Sequence, residues 1–425
     1  MNKRTPLAVK FVLITALLIC ALLLGFLLKD YFPVKLEEPP QFNPPSLDIT
    51  AIQGEVSNLR QLPLKEEIPA GFLDKEALNQ ALKESMEDEL SQQDLQSTEK
   101  VLRFLGILEG GQSLKEVLLE VLSEQVYGFY DHESGELKVL KKEDKTTALE
   151  RLALVHEVVH GIQDQNFDLS RFIPPDFKGS DDELMAVQSL YEGDASWTSV
   201  LYVQKNSSLS FGLGLLLDSL DLNQSALELA PPYVVESLLF PYQEGMTFVK
   251  TLYEKGGWMF VNQAFEKPPV STEQILHPEK YLSNEQPATI TFPEWKSLEG
   301  FTLVRDNALG EFDFRFLFRS VLPENQALVA STGWNGSRYQ LWEKEGMMVF
   351  ILESRWDSPR DASEAEFALE NFLKSRFGFA PTNYYRGSLY VGGNEVGLLY
   401  PSGQAQYLIL APDEELALNI LSELP

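Results

Sequence analysis

Cysteine is almost absent from this chain: Cys20 is the only one in 425 residues, and it falls inside an apolar run near the amino terminus. Disulfides are thereby excluded, and so is any metal site built on thiolates. Histidine is nearly as scarce, with four residues. Basic residues are outnumbered, 35 Lys and Arg against 63 Asp and Glu, for a net charge of -28. A balance this acidic repels phosphate backbones and anionic headgroups, which argues against a nucleic-acid partner and against docking on lipid through a basic face. Internal repeats are not visible. What the chain does have is apolar content, 44% hydrophobic and 11% aromatic, enough for two or three domains with substantial cores.

Two of the four histidines stand together. His156, Glu157 and His160 spell H-E-x-x-H at the centre of TTALERLALVHEVVHGIQDQNFDL, residues 146–169. Thr147 with Glu150 offers a capping box, and Leu149, Leu152, Ala153, His156, Val159, His160 and Gln163 then fall along one helical stripe. Leu154, Val155, Val158 and Ile162 cover the other side. A helix apolar nearly all round is a buried one, so the two imidazoles and the carboxylate are polar groups carried into a core, where each needs a partner. Ordinary core histidines bonded to backbone would meet that need without explaining the spacing. Residues four apart on a helix point the same way, so both imidazoles can reach one ion. A zinc ion held by two imidazoles and a carboxylate keeps a fourth position for water and lowers that water's pKa, with Glu157 placed to take its proton.

The third ligand has to come from elsewhere. Asp164 lies a further turn along, and a straight helix cannot bend three consecutive turns onto one tetrahedral ion. The pattern H-E-x-x-H-x-x-G-x-x-H, with a third histidine, is lacking, and Gln163 stands at its glycine position. Residues 181–197, DDELMAVQSLYEGDASW, read as a second helix with Leu184, Val187, Leu190 and Tyr191 on one face. If it returns antiparallel across the first, Glu192 arrives at the metal. Asp194 is then a candidate acceptor behind a ligand imidazole, or simply a loop residue.

The other segments supply context. Behind a basic head (Lys3, Arg4, Lys10), Phe11 to Leu28 is uncharged and long enough to span a bilayer with the amino terminus inside. No small-residue cleavage site follows, and Ile19 ahead of Cys20 fits a lipoprotein signal poorly, so the run reads as an uncleaved anchor. The proline-rich stretch PVKLEEPPQFNPP reads as an extended linker. Val126 to Leu140 reads as a β-hairpin with His132 in its exposed turn. Residues 231–281 read as helices; Tyr242 and His277 are candidate donors to a developing oxyanion, although Ser271 and Gln274 equally make a capping box that leaves His277 exposed. Beyond Pro287 the pattern becomes mixed: Ile290–Phe292, Leu303, Ala327–Thr332, Met347–Leu352, Ser388–Val396, Gly397–Tyr400 and Gln406–Ala411 as strands, Ala362–Phe377 and Glu414–Leu424 as helices. Trp334, Trp342 and Trp356 could line a binding groove, but aromatics in such a setting are more often core.

HEVVHGIQDQ followed by LYEGDA resembles the glutamate-liganded zincins, a group that includes bacterial exported or membrane-anchored zinc peptidases. The resemblance runs from about Val126 to Tyr281. It implies zinc, one per chain, on His156, His160 and Glu192, with Glu157 as general base. The expected architecture is α+β: residues 1–28 the cytoplasmic tip and transmembrane helix, 29–50 the linker, 51–285 a helix-rich zincin-like domain, and 286–425 an α+β domain. The expected activity is hydrolysis of peptide bonds in a peptide or protein substrate, outside the cytoplasm and tethered to the cell membrane by a single span. Two alternatives stay open: an inactive binding protein of the same fold, against which the intact Glu157 tells, and a zinc hydrolase of a non-peptide amide or ester.

Overall fold

A computed structural model describes residues 48–89, 92–125, 128–141, 147–172, 177, 179–206 and 225–424. The expected anchor, 11–28, and nearly all of the linker lie outside these residues. Among those described, no helix is long and apolar enough to cross a membrane. The architecture is α+β, and the chain divides into two compact units. One takes in residues up to Gln96, Glu109–Lys178 and Leu184–Pro269; the other takes in Ser97–Leu108, Gly179–Glu183 and Val270 to the end.

In chain order the first unit contains α1 (Ile49–Arg60), β1 (Ala70–Leu73), α2 (Lys75–Glu89), the start of α3 (Gln92–Phe104), α4 (Leu114–Gln125), β2 (Gly128–Asp131), β3 (Glu136–Leu140), α5 (Ala148–Phe167), most of α6 (Asp181–Asn206), α7 (Ser225–Leu229) and α8 (Pro232–Glu266). Its helices begin where polar side chains can take the free amides. Asp48 accepts from Ala51 N at 3.0 Å to start α1. The capping box of α5 forms as expected, with Glu150 N donating to Thr147 Oγ1 at 3.2 Å and Thr147 N donating to Glu150 Oε2 at 2.9 Å. The expected hairpin is β2 and β3, paired antiparallel and turning through Gly135 at φ 70. β1 adds to β3 in parallel, giving a small sheet in the order β1-β3-β2, so β2 is an edge.

The second unit holds α9 (Thr272–Leu276), α10 (Pro278–Leu282), β4 (Thr302–Asn307), α11 (Glu311–Arg319), α12 (Glu324–Ser331), β5 (Trp334–Lys344), β6 (Met347–Trp356), α13 (Pro359–Phe377), β7 (Thr382–Tyr384), β8 (Gly387–Gly392), β9 (Glu395–Ser402), β10 (Ala405–Ala411) and α14 (Glu414–Glu423). Its antiparallel sheet runs β4-β5-β6-β10-β9-β8-β7. Side chains alternate across a strand, and here both faces are covered. Phe350, Leu352, Leu408 and Leu410 pack with Ala365, Leu369 and Phe372 of α13 on one side. Val349, Ile351, Leu398 and Ile409 pack with Trp295, Ala417 and Ile420 on the other. Trp334 and Trp356 are buried, as read from sequence, while Trp342 is partly buried.

Three expectations are corrected here. Ala327–Thr332 is helical as far as Ser331, because Ala327, Ala330 and Ser331 bury one helical face. Ile290–Phe292 forms no strand, and the polar-interleaved β5 was not anticipated. Residues 270–285, expected with the first region, belong to the second unit. They are held there by Thr272, whose amide and hydroxyl donate to buried Asp182, and by Lys280, which pairs with Asp357.

Candidate metal centre

Helical periodicity and one close helix crossing assemble the centre. On α5, His156, Glu157 and His160 are 0%, 2% and 1% exposed, and on α6 Glu192 is 1% exposed. His156 Nε2 lies 3.0 Å from Glu192 Oε2, and His160 Nε2 lies 3.4 Å from the same oxygen. Beside Glu192, Gly193 meets Gly245 of α8 backbone to backbone: a Cβ on Gly193 would lie 2.2 Å from the Gly245 carbonyl, and one on Gly245 would lie 2.2 Å from the Ser189 oxygen. Only hydrogen fits between these helices. The same crossing brings Tyr242, one turn before Gly245, to stack on His156 with ring centroids 5.8 Å apart and planes 26° apart. Gly161, next to His160, similarly lets Ile68 approach, where a Cβ would lie 2.5 Å from Ile68 Cδ1.

Glu157 turns towards the small sheet, where its Oε2 accepts the outward amide of Tyr130 at 2.8 Å. Its Oε1 is buried without a hydrogen-bond partner, and so is Oε1 of Glu192. Among protein groups alone, burial pushes Glu157 up to about 8, Glu192 adding to the rise and His160 opposing it. Burial disfavours a charge on His160, but the field and hydrogen bond of Glu192 outweigh it and lift the imidazole to about 9. Burial holds His156 below the ordinary imidazole value. Glu192, which burial alone would raise, is held below the usual carboxylate range by the two histidines.

These residues fit a zinc ion. Nitrogen and oxygen ligands 2.0–2.1 Å from a tetrahedral ion sit about 3.3 Å from one another, and the two separations from Glu192 bracket that value. A buried carboxylate oxygen left without a partner costs roughly 1–3 kcal/mol or more, and two such oxygens belong to residues of this centre, Oε1 of Glu157 and Oε1 of Glu192. Among the described residues, Glu273, Glu285 and Asp357 of the second unit also converge. There the Lys280 ammonium is the cation, 2.6 Å from Glu273 and 2.7 Å from Glu285.

Around the three candidate ligands, the structure distributes the remaining candidates unevenly. Asp194 does not bond a ligand imidazole; it accepts from Gln163 Nε2 at 2.9 Å and from Arg60 Nε at 2.6 Å, while Gln163 Oε1 lies 2.9 Å from His160 Nδ1. Asp164 closes α5, taking the Leu169 amide and the Tyr130 hydroxyl, each at 2.9 Å. Tyr242 is gathered into the centre. His277 belongs to the second unit, where its Nε2 lies 2.9 Å from Glu311 Oε1 and that hydrogen bond raises its pKa. Sequence reasoning missed Gln163, Arg60 and the Tyr130 amide. A glutamine inside an otherwise apolar helix, one turn past a candidate ligand, is a signal for the first. Nothing local marks an arginine at the end of α1 or one amide of a strand.

The sequence profile of a family described as "Domain of unknown function (DUF8575)" matches residues 300–397, a stretch within the second unit. No curated protein and no solved structure matches the chain.

Proposed function

We propose that the protein is a zinc-dependent peptidase of zincin type, tethered by residues 11–28 and acting outside the cytoplasm. The observation that carries this is the convergence of His156 Nε2, His160 Nε2 and Glu192 Oε2, with buried Glu157, next to His156 in sequence, in electrostatic contact with His160 and Glu192. His156, His160 and Glu192 would hold the ion, which when bound supplies Lewis acidity towards water and a substrate carbonyl. Glu157, which the Tyr130 amide holds in the free protein, would take a proton from the attacking water and hand it to the leaving amine. Its buried setting suits that exchange, since desolvation makes the carboxylate a stronger base than an exposed glutamate. Tyr242, fixed against His156, is the candidate donor to the oxyanion. β2, at the edge of the small sheet and bonded to Glu157, is the candidate rail for an extended peptide.

Metal content and turnover, measured together, test the proposal. The full-length chain in detergent should carry one zinc, His156→Ala should lose it, and Glu157→Gln should keep it while cleavage of a peptide library stops. Zinc bound by the wild type with no peptide cleaved would favour an inactive binding protein or a hydrolase of another bond. No zinc in the wild type would remove the proposal.

A further inference from the structure

Gln163 stands one turn past His160 and is fully buried. Its Nε2 donates to the Tyr191 carbonyl at 3.0 Å and to Asp194 Oδ2 at 2.9 Å, and its Oε1 lies 2.9 Å from His160 Nδ1. The two ends of a side-chain amide have nearly the same shape, so its partners decide which way it lies. Turned over, the amide would set oxygen against oxygen at both Tyr191 and Asp194. Asp194 is itself fixed as an acceptor. Arg60, 0% exposed, donates to its Oδ1 at 2.6 Å, and a guanidinium neither accepts nor gives up its charge. Arg60 is held in turn by Asn262 Oδ1 at 2.8 Å and lies 4.2 Å over the Trp258 ring. Direction therefore passes from Arg60 to Asp194, to Gln163, and on to His160. At the end of this chain stands a carbonyl oxygen, to which only a protonated Nδ1 can donate. Once the ring gives up its second proton, as metal binding requires, the lone pair is thereby left on Nε2, the nitrogen that faces Glu192.

We infer that Gln163 is a positioning residue of the metal centre: its amide, oriented by Asp194 and Arg60, fixes His160 as the Nδ1–H tautomer that coordinates through Nε2. This rests on reading His156, His160 and Glu192 as the ligands. A neutral amide also pushes less charge into the imidazole than a carboxylate in its place would.

Cobalt(II) serves as the probe, because the ligand N–H protons of a bound imidazole are shifted clear of the remaining proton spectrum. The full-length chain in detergent should bind one cobalt and show a slowly exchanging N–H resonance from His160. In Gln163→Leu, with circular dichroism unchanged, cobalt affinity should fall about 10- to 100-fold and that resonance should disappear. Gln163→Asn, which draws the amide back by one methylene and disturbs the core less, should change both in the same direction if the leucine variant does not fold. Variants that bind cobalt as tightly as the wild type and keep the resonance would overturn the role of Gln163 while leaving the ligands in place. A wild type that takes up neither cobalt nor zinc would overturn the ligand reading, and this inference with it.

Discussion

Zinc uptake should release protons, in a number that changes with pH. Among protein groups alone His160 titrates at about 9 and Glu157 at about 8, so near neutral pH both hold a proton. His156 and Glu192 are shifted the other way, and neither has a proton to give there. Binding requires a bare nitrogen on His160, and a divalent charge beside Glu157 favours its carboxylate. Metal therefore competes with two protons below pH 8, with one between 8 and 9, and with none above. Each released proton makes affinity rise about tenfold per pH unit, or ~1.4 kcal/mol. Zinc affinity should accordingly climb about a hundredfold per unit up to pH 8, about tenfold over the next unit, and then level. Competition against a chromophoric chelator over this range measures the slope, and calorimetry in buffers of different ionisation heat counts the protons. An affinity that stays constant from neutral pH to 9 would refute the reasoning, since it would mean that no proton stands on the ligand that Glu192 faces.

Two further substitutions probe the framework. Gly245→Ala places a Cβ 2.2 Å from the Ser189 carbonyl oxygen; parting two backbones should cost about 1–3 kcal/mol and weaken zinc through Glu192, and an unchanged melting temperature would show that the helices slide freely. In the second unit, burial lifts Asp182 to about 7, aided by Asp313 and Glu311 and opposed by Thr272. A carboxyl that holds its proton more tightly when folded stabilises the fold at low pH, and loses that contribution as pH rises from the ordinary carboxylate range to about 7. Asp182→Asn keeps an acceptor for Thr272 and removes the titration, so denaturant stability should decline less steeply across that window, by up to ~1.4 kcal/mol per pH unit. A slope matching the wild type would show that Asp182 is already ionised.

The parts legible in the sequence are those set by local rules. Thr147 and Glu150 announce the start of α5, the four-residue spacing aligns His156 with His160, and Gly135 closes the hairpin. The meeting of Glu192 with both imidazoles follows once the second helix crosses the first, and the pattern LYEGDA holds the glycine that permits the close approach of α8. What could not be read is long-range. Arg60 reaches Asp194 across more than a hundred residues, and no periodicity encodes that. β5 hides because Asn335, Ser337 and Gln340 interrupt its apolar side chains; the helix at Ala327 looks like a strand in sequence because an apolar run that short has the same appearance in either conformation.

The bond from Tyr130 to Glu157 carries one more consequence. A guest chain laid along β2 would seek the very hydrogen that the carboxylate already holds, so that hydrogen has two claimants and can serve one at a time. Under the proposed function, a peptide docked at this position would release Glu157, and a small molecule that merely occupied the Tyr130 amide would act on Glu157 without ever touching an imidazole.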